Sequence, residues 1–469
     1  MQANRRAFIK LLLGGIGAGF LSSTPACDAA AGRSRQHAKN VLFIIVEDLK
    51  NVMGCYGNPL VHTPNLDRLA RKGTIFDRTY CQYPVCNPSR TSFLTGLRPD
   101  TTRILDNRVP WNTHIKDQIT LPRLFKNNGY TTIGMGKIFH GKKEHDDHEA
   151  WDVNLDFRQT PTGGQGEGRN MTDGRVRWCR WLAAEGSDED QPDGQIAAKA
   201  VDMLKQPRDK PLFMALGFHK PHDPFEAPKK YFDLYPVESL MPPAMPENRS
   251  PKKPYMIGSS WAAVFKEFSL QDQREFLRSY YAGVSFTDAQ IGKVLDELDR
   301  QNLWKDMVVI FVGDHGYNLG EYDWWNKAVL MEDSARIPMI VVVAGETQTN
   351  VRCDQFVEMV DLCPTLADLC GLNAPANVEG ISFRPLLSEP NKPWKKAAFT
   401  QVQRGDVAGR SVRTKRWRYN EWTRNGAVLA AELFDHASDP QECRNLADMD
   451  DFKATCEELS QLLKMGHSQ

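Results

Sequence analysis

The sequence predicts an α/β fold: a large, mostly parallel sheet flanked by helices, with a smaller α+β part at the C-terminus. Three observations predict it. Near-continuous apolar runs at 40–46 (N-V-L-F-I-I-V), 211–218, 307–312 and 337–343 read as strands buried on both faces. Segments of helical period lie between them, and alternating strands and helices build parallel sheets. After about residue 385 the texture changes to short runs at 397–402, 410–419 and 430–434, which read as antiparallel strands before a closing helix at 451–464. The expected organisation is a main domain over 38–385 and a smaller subdomain over 386–469.

Taken in order, residues 1–31 are an address and not part of the fold. Arg5 and Arg6 precede the short apolar stretch 11–21 and a small-residue exit, the pattern of a twin-arginine export signal. It predicts a periplasmic or secreted protein with no stable membrane insertion once the signal is cut. The strand at 40–46 follows, then an amphipathic helix at 65–71 closed by Gly73. A helix at 121–128 stopped by Gly129 leads into a strand at 130–135. Residues 141–192 are polar and glycine-rich without a sustained period, and read as a long irregular insertion. A helix at 195–204 precedes the strand at 211–218. The prolines of 221–258 predict loop. A helical period runs from 270 to 303, and a further helix is expected at 357–369, closed by Gly371.

Composition excludes several classes. Fifty-nine Lys and Arg balance 59 Asp and Glu, so nothing draws the chain as a whole to nucleic acid. One long apolar run excludes a polytopic membrane protein, and eleven tryptophans exclude a disordered chain. Export places the ten cysteines in an oxidising compartment, but irregular spacing fixes no pairing and offers no zinc-type C-x-x-C.

In an open α/β sheet, ligands bind beyond the carboxyl ends of the strands. Two strands end there in hard-metal chemistry: Glu47 and Asp48 after the first, Asp314 and His315 after the strand at 307–312. Three carboxylates and an imidazole suit Ca²⁺ ahead of Mg²⁺. Either acid pair alone would be an ordinary helix cap or solvated end; the repetition after two core strands points to a site.

The segment Cys86-Asn87-Pro88-Ser89-Arg90-Thr91-Ser92-Phe93-Leu94-Thr95-Gly96 is the most specific in the chain. It resembles the C-x-P-S-R…L-T-G signature of the type I, formylglycine-dependent sulfatases of the alkaline-phosphatase-like superfamily. The resemblance extends through V-L-F-I-I-V-E-D, T-P-N-L-D-R-L-A, the G-K-x-x-H element at Gly136 to His140, Gly313-Asp314-His315-Gly316 with Leu319-Gly320-Glu321, and the C-terminal E-L-F-D…D-P-Q-E…N-L at 432–446. His219-Lys220-Pro221-His222-Asp223-Pro224-Phe225, with His315 as second metal residue, points to the iduronate-2-sulfatase-like branch.

The resemblance implies a sulfuric ester hydrolase. Cys86 becomes formylglycine, made by a formylglycine-generating enzyme that reads Pro88 and Arg90. One hydroxyl of its hydrate attacks sulfur and the other expels sulfate, an exit that a serine ester lacks. Arg90 would steady the hydrate. Glu47, Asp48, Cys86 (as formylglycine), Asp314 and His315 would hold Ca²⁺. Lys137, His222 and Lys327 would surround the sulfate and the ester oxygen, and His140 or His222 would be the principal acid. Taken singly, Lys137 is an ordinary solvated lysine, His140 and His222 are ordinary structural histidines, and Lys327 would lie across Trp324 and Trp325. Of the pair 219/222, His219 reads as the structural histidine, with a contact to substrate left open. Glu47 departs from the family's aspartate by one methylene, so its carboxylate would reach the metal from further back.

The implied substrate is a sulfated saccharide, a 2-O-sulfated uronate first, with other sulfated polysaccharides open. Arg158, Arg169, Arg175 and Arg177 are candidates to meet the uronate carboxylate. A phosphonate or phosphodiester hydrolase of the same superfamily is the alternative enzyme, and a sulfated-glycan binder that keeps Cys86 as a thiol is the alternative outside enzymes.

Overall fold

The protein is described by a computed structural model over residues 39–466, apart from 142, 245, 247–248 and 251–259. The expected signal at 1–31 lies outside the described residues. Among the described residues, fifteen strands form three sheets. The largest uses β1 (Asn40–Val46), β2 (Thr74–Tyr80), β3 (Thr131–Gly136), β4 (Val153–Leu155), β7 (Leu212–Phe218), β9 (Met307–Gly313), β10 (Arg336–Val343) and β11 (Val351–Glu358). Its order is β11-β2-β10-β9-β1-β7-β3-β4. Only β10 runs against the others, antiparallel to both β9 and β2.

β1 shows why this sheet is the core. Val41 to Val46 are fully buried, and they alternate between two hydrophobic clusters. Leu42, Ile44 and Val46 face the helices Pro64–Lys72, Pro192–Leu204 and Leu270–Arg300. Val41, Phe43 and Ile45 face Phe93, Phe125 and Leu366 of the helices Cys86–Thr95, Leu121–Asn127 and Leu362–Leu369. Each such side chain contributes roughly 1.5–3 kcal/mol on burial, and a strand with two buried faces has no polar positions to spare.

β12 (Ala397–Arg404), β13 (Val407–Thr414), β14 (Trp417–Arg424) and β15 (Ala427–Asp435) make a sequential antiparallel sheet, covered by the helix Lys453–Gly466. It lies in the same compact unit, Ala38–Gln469, as the large sheet. β5 (Gly166–Asn170), β6 (Arg180–Ala184) and β8 (Phe225–Pro228) make the third sheet.

Four local expectations need correction. The insertion 141–192 is not wholly irregular: it holds β4, β5 and β6, whose glycines, among them Gly166 and Gly168, mask the two-residue period. The proline-rich 221–258 holds β8. The helix expected at 357–369 begins at Leu362, because Val357 and Glu358 end β11, where a register break between Cys353 and Phe356 spoils the alternation. The run 410–419 is two strands around an exposed turn at Lys415 and Arg416, so the C-terminal sheet has four strands and not three. β2 was not anticipated either: Asp77 and Arg78 interrupt its apolar pattern. All nine described cysteines are free, so no disulfide joins the described residues. No helix among them is long and apolar enough to cross a membrane.

Candidate active site

Sheet register assembles the site. Val46 pairs with Phe218 on one side and Gly313 on the other, so Glu47, His219 and Asp314 stand abreast one residue beyond three parallel strands. Gly136 pairs with Gly217, which brings Lys137 to the same edge. The antiparallel β10 starts at this edge, with Arg336 opposite Tyr80, and the chain leading into it carries Lys327.

Cys86 is the first residue of the helix Cys86–Thr95, after an extended Val85, and all ten residues of that helix are buried. Asn87 pins the helix start by donating from Nδ2 to the carbonyls of Asp106 (2.9 Å) and Val109 (2.7 Å). Gly96, at φ 72°, ends the helix in the left-handed region. The Cys86 Sγ lies 3.2 Å from Glu47 Oε1, 3.2 Å from Lys327 Nζ and 3.4 Å from His315 Nε2. Burial pushes the thiol up, but Lys137, Lys327 and His315 hold it well below the ordinary thiol range.

The acids are held as firmly. Asp48 sits at φ 59°, an unusual conformation for a non-glycine residue. Asp314 Oδ1 accepts from the Asp48 N–H at 2.9 Å, and Tyr280 donates its hydroxyl to the Asp48 carbonyl at 2.6 Å. Asp314 Oδ1 also accepts from the His315 N–H at 2.9 Å, and Oδ2 accepts from Arg90 Nε at 3.0 Å. Arg90 Nη1 donates to the carbonyls of Lys137 and Ile138. The arginine therefore ties the Cys86 helix to the ends of β9 and β3.

Lys137 pairs with Glu47, and Lys327 with Asp48. His222 Nε2 stands 3.6 Å from Glu47 Oε1 and 3.9 Å from Asp48 Oδ2, while its Nδ1 faces the Asp223 carbonyl. Burial opposes a charged imidazole at 222, yet Glu47 and Asp48 raise it to about 10. Burial likewise raises Glu47, but His222 and Lys137 bring it down to about 2. Burial pushes Asp48 up more than Lys327, His222 and His315 pull it down.

Two sets of ligand atoms meet at this place: Glu47, Asp48, Cys86 and His222, and Cys86, Asp314 and His315. Asp48 Oδ2 is buried with no hydrogen-bond partner. An uncompensated carboxylate oxygen among hard donors fits a divalent cation. The longer Glu47 side chain still reaches the group. A third set, Glu332, His436 and Glu442, is already neutralised by Arg413 and Arg418.

All ten expected site residues thus converge. Lys327 does not lie across the tryptophans; its carbonyl accepts from Trp324 Nε1 at 3.1 Å while its ammonium enters the site. His219 lines the cavity beside Glu47 and Lys137, with its buried Nε2 unpartnered. None of the four candidate arginines lines that cavity of about 320 Å³. Arg169 pairs with Asp272 and Glu275, Arg175 with Glu267, and Arg158 and Arg177 are exposed. The sequence reading missed Asp193, whose carboxylate accepts from the backbone N–H groups of His219 (2.8 Å) and Lys220 (2.9 Å), and Tyr280. Proline followed by aspartate at the helix start 192–193 was a usable signal; Tyr280 offered none.

Comparison with known proteins agrees with this geometry. The family model described as Sulfatase matches residues 39–372, and one described as N-sulphoglucosamine sulphohydrolase, C-terminal, matches 320–469. The chain is 30% identical to iduronate 2-sulfatase of Mus musculus, covering 89% of this chain and 92% of that one. Two solved structures share the fold at 20–22% identity. One is a protein in complex with its substrate D-glucosamine-2-N,6-O-disulfate (TM-score 0.73, 92% of this chain and 98% of that one). The other is the phosphonate monoester hydrolase of Agrobacterium radiobacter (TM-score 0.76, 92% and 96%). A cysteine-led helix buried among lysines and carboxylates, in a chain matched over most of its length, makes this protein a member of the sulfatase family, the sulfuric ester hydrolases.

Proposed function

We propose that this sulfatase acts on a 2-O-sulfated uronate of a sulfated saccharide, with Cys86 oxidised to formylglycine and Ca²⁺ held by Glu47, Asp48, Asp314 and His315. The observation that carries the mechanism is the placement of Cys86 Sγ within 3.4 Å of a carboxylate, an ammonium and an imidazole at a buried helix start. The uronate reading is supported by the 30% identity to iduronate 2-sulfatase over most of both chains and by the H-K-P-H segment that ends in His222.

The hydrate of formylglycine supplies a hydroxyl nucleophile and a second hydroxyl through which sulfate departs; Ca²⁺ supplies positive charge for the sulfuryl oxygens. The chain's own residues do the rest. Lys137 and Lys327 neutralise the sulfate group, in a buried site where charge is worth more than in water. Arg90 holds Asp314 and the end of β3 in place. His140, whose buried Nδ1 has no partner among the described residues, would take a proton from the nucleophile. His222, charged by Glu47 and Asp48 and open to the cavity, gives its Nε2 proton to the leaving alcohol.

The twin-arginine pattern at 5–6 supports export to the periplasm or beyond, and Pro88 and Arg90 support a formylglycine-generating enzyme as the maturation partner. Sulfate release from a 2-O-sulfated uronate saccharide, a 6-O-sulfated hexosamine and a matched phosphodiester tests the reading. The expected order places the uronate first and the phosphodiester last. A preferred hexosamine contradicts the uronate assignment, and a preferred phosphodiester contradicts sulfate ester specificity.

A further inference from the structure

We propose that Glu226, assisted by Asp223, is a specificity-determining carboxylate that reads hydroxyl groups of the sulfated sugar and rejects a second anion beside the scissile sulfate. The inference rests on the sulfated uronate reading and adds to it the direction in which the uronate lies.

The cavity of about 320 Å³ is lined both by residues of the catalytic cluster and by residues beyond it. The cluster residues are Glu47, Lys137 and His222, where the sulfate binds. Beyond them the cation is already used. Lys220 donates its ammonium to the carbonyls of Pro224 (2.6 Å) and His222 (3.2 Å), holding the 219–224 loop in shape. The amides are used as well: Gln191 Nε2 donates to Gly163 O at 2.9 Å, and Gln159 Nε2 donates to Gly163 O at 2.6 Å and to Gln191 Oε1 at 3.1 Å.

The carboxylates keep capacity. Glu226 Oε1 lies 2.7 Å from Arg180 Nη2, while among the described residues Oε2 has only a long 3.4 Å contact from Gln159 Nε2. Asp223 Oδ2 is 3.9 Å from His222 Nδ1, too far for a hydrogen bond. Apart from the His219 ring, whose Nε2 is also unpartnered, the open groups of this wall are carboxylate oxygens, which take hydroxyl donors and repel sulfate or carboxylate. Phe157 offers an apolar surface to the sugar's C–H groups. It follows that the ring hydroxyls face Glu226 and that the uronate's own carboxylate points away from this wall.

The test compares kcat/KM for a 2-O-sulfated uronate saccharide with the same saccharide sulfated also at the neighbouring carbon, in the wild-type protein and in Glu226→Gln. Glutamine keeps the shape and removes the charge. The wild-type preference for the monosulfated sugar is expected to be about tenfold or more, and Glu226→Gln is expected to shrink that ratio at least about fivefold, through KM. Asp223→Asn gives the same readout if Glu226→Gln does not fold. A variant that keeps the wild-type ratio overturns the proposal, as does a wild type that prefers the doubly sulfated sugar. The comparison is run in parallel on a neutral 2-sulfated pyranoside and its 2,3-disulfated form. Selectivity there, with no turnover of either uronate, overturns the uronate reading and supports the wall; loss of selectivity on both pairs overturns the wall.

Discussion

Cys86 has three polar neighbours within 3.4 Å, and each answers a different chemical need. Lys327 is the one with no substitute: its ammonium touches both Asp48 and Cys86, and burial leaves no water to replace it. Lys327→Ala is expected to lower kcat/KM by about 10²–10³, the cost of one lost charge stabiliser in a dry site, measured on an aryl sulfate. A loss under a few-fold would remove Lys327 from the machinery. Glu47→Asp probes the departure from the family pattern. Shortening the side chain withdraws the carboxylate from Cys86 and Lys137, so calcium affinity, measured by titration of the metal-stripped protein, is expected to change by about tenfold or more. Unchanged affinity and unchanged turnover would show that Glu47 is not a ligand of consequence. At this scale the sequence was informative because each residue sits a fixed distance from an unmistakable motif. What it hid were groups that act through the backbone, such as Asp193 under the 219–220 amides and Tyr280 on the Asp48 carbonyl.

Elements tie the two larger sheets together through buried charge. Glu358, the last residue of β11, accepts from Arg98 at 2.8 and 2.7 Å, from Lys395 at 2.8 Å and from the Phe399 N–H at 3.1 Å. Burial pushes its carboxyl up, but Arg98 and Lys395 hold it far below the ordinary range. Glu358→Gln takes the carboxylate partner from Arg98 and leaves Lys395 with Asp361 alone, and is expected to cost about 3–5 kcal/mol near pH 7. The sign of the pH dependence follows from the depressed pKa. The stabilisation is complete above the unfolded value of about 4.3 and fades as pH falls below it. The stability gap between wild type and variant, measured by denaturant unfolding, is therefore expected to narrow in acid; a gap independent of pH would contradict the pairing. Of the strands that sequence located, β1, β7, β9 and β10 have the most uniform environments, buried on both faces. Those it missed or merged have mixed ones. β2 and β11 carry polar residues near one side of the sheet, and β13 and β14 flow together because only the turn at 415–416 separates two similar alternations. Direction was hidden too, since an apolar run reads the same in β10, antiparallel, as in β9.

In the whole molecule, the C-terminal sheet is part of the catalytic architecture. Tyr83 and Leu330, which flank the Cys86 helix and Lys327 in sequence, pack against Val402, Val407 and Trp422. Glu332 is paired with Arg413 and Arg418 of the same sheet. A chain ending at residue 385 exposes these apolar and charged surfaces together, and is expected to be insoluble or to lack the cooperative unfolding transition of the full chain by circular dichroism; a soluble, active truncation would show that the sheet is dispensable. The central claim, however, concerns one atom. The protein is produced together with a formylglycine-generating enzyme, and the mass of the peptide spanning Cys86 is measured. The account predicts a loss of about 18 Da, thiol to aldehyde. An unmodified cysteine, under conditions that convert another sulfatase, would contradict it and bring the sulfated-glycan binder with an intact thiol to the front.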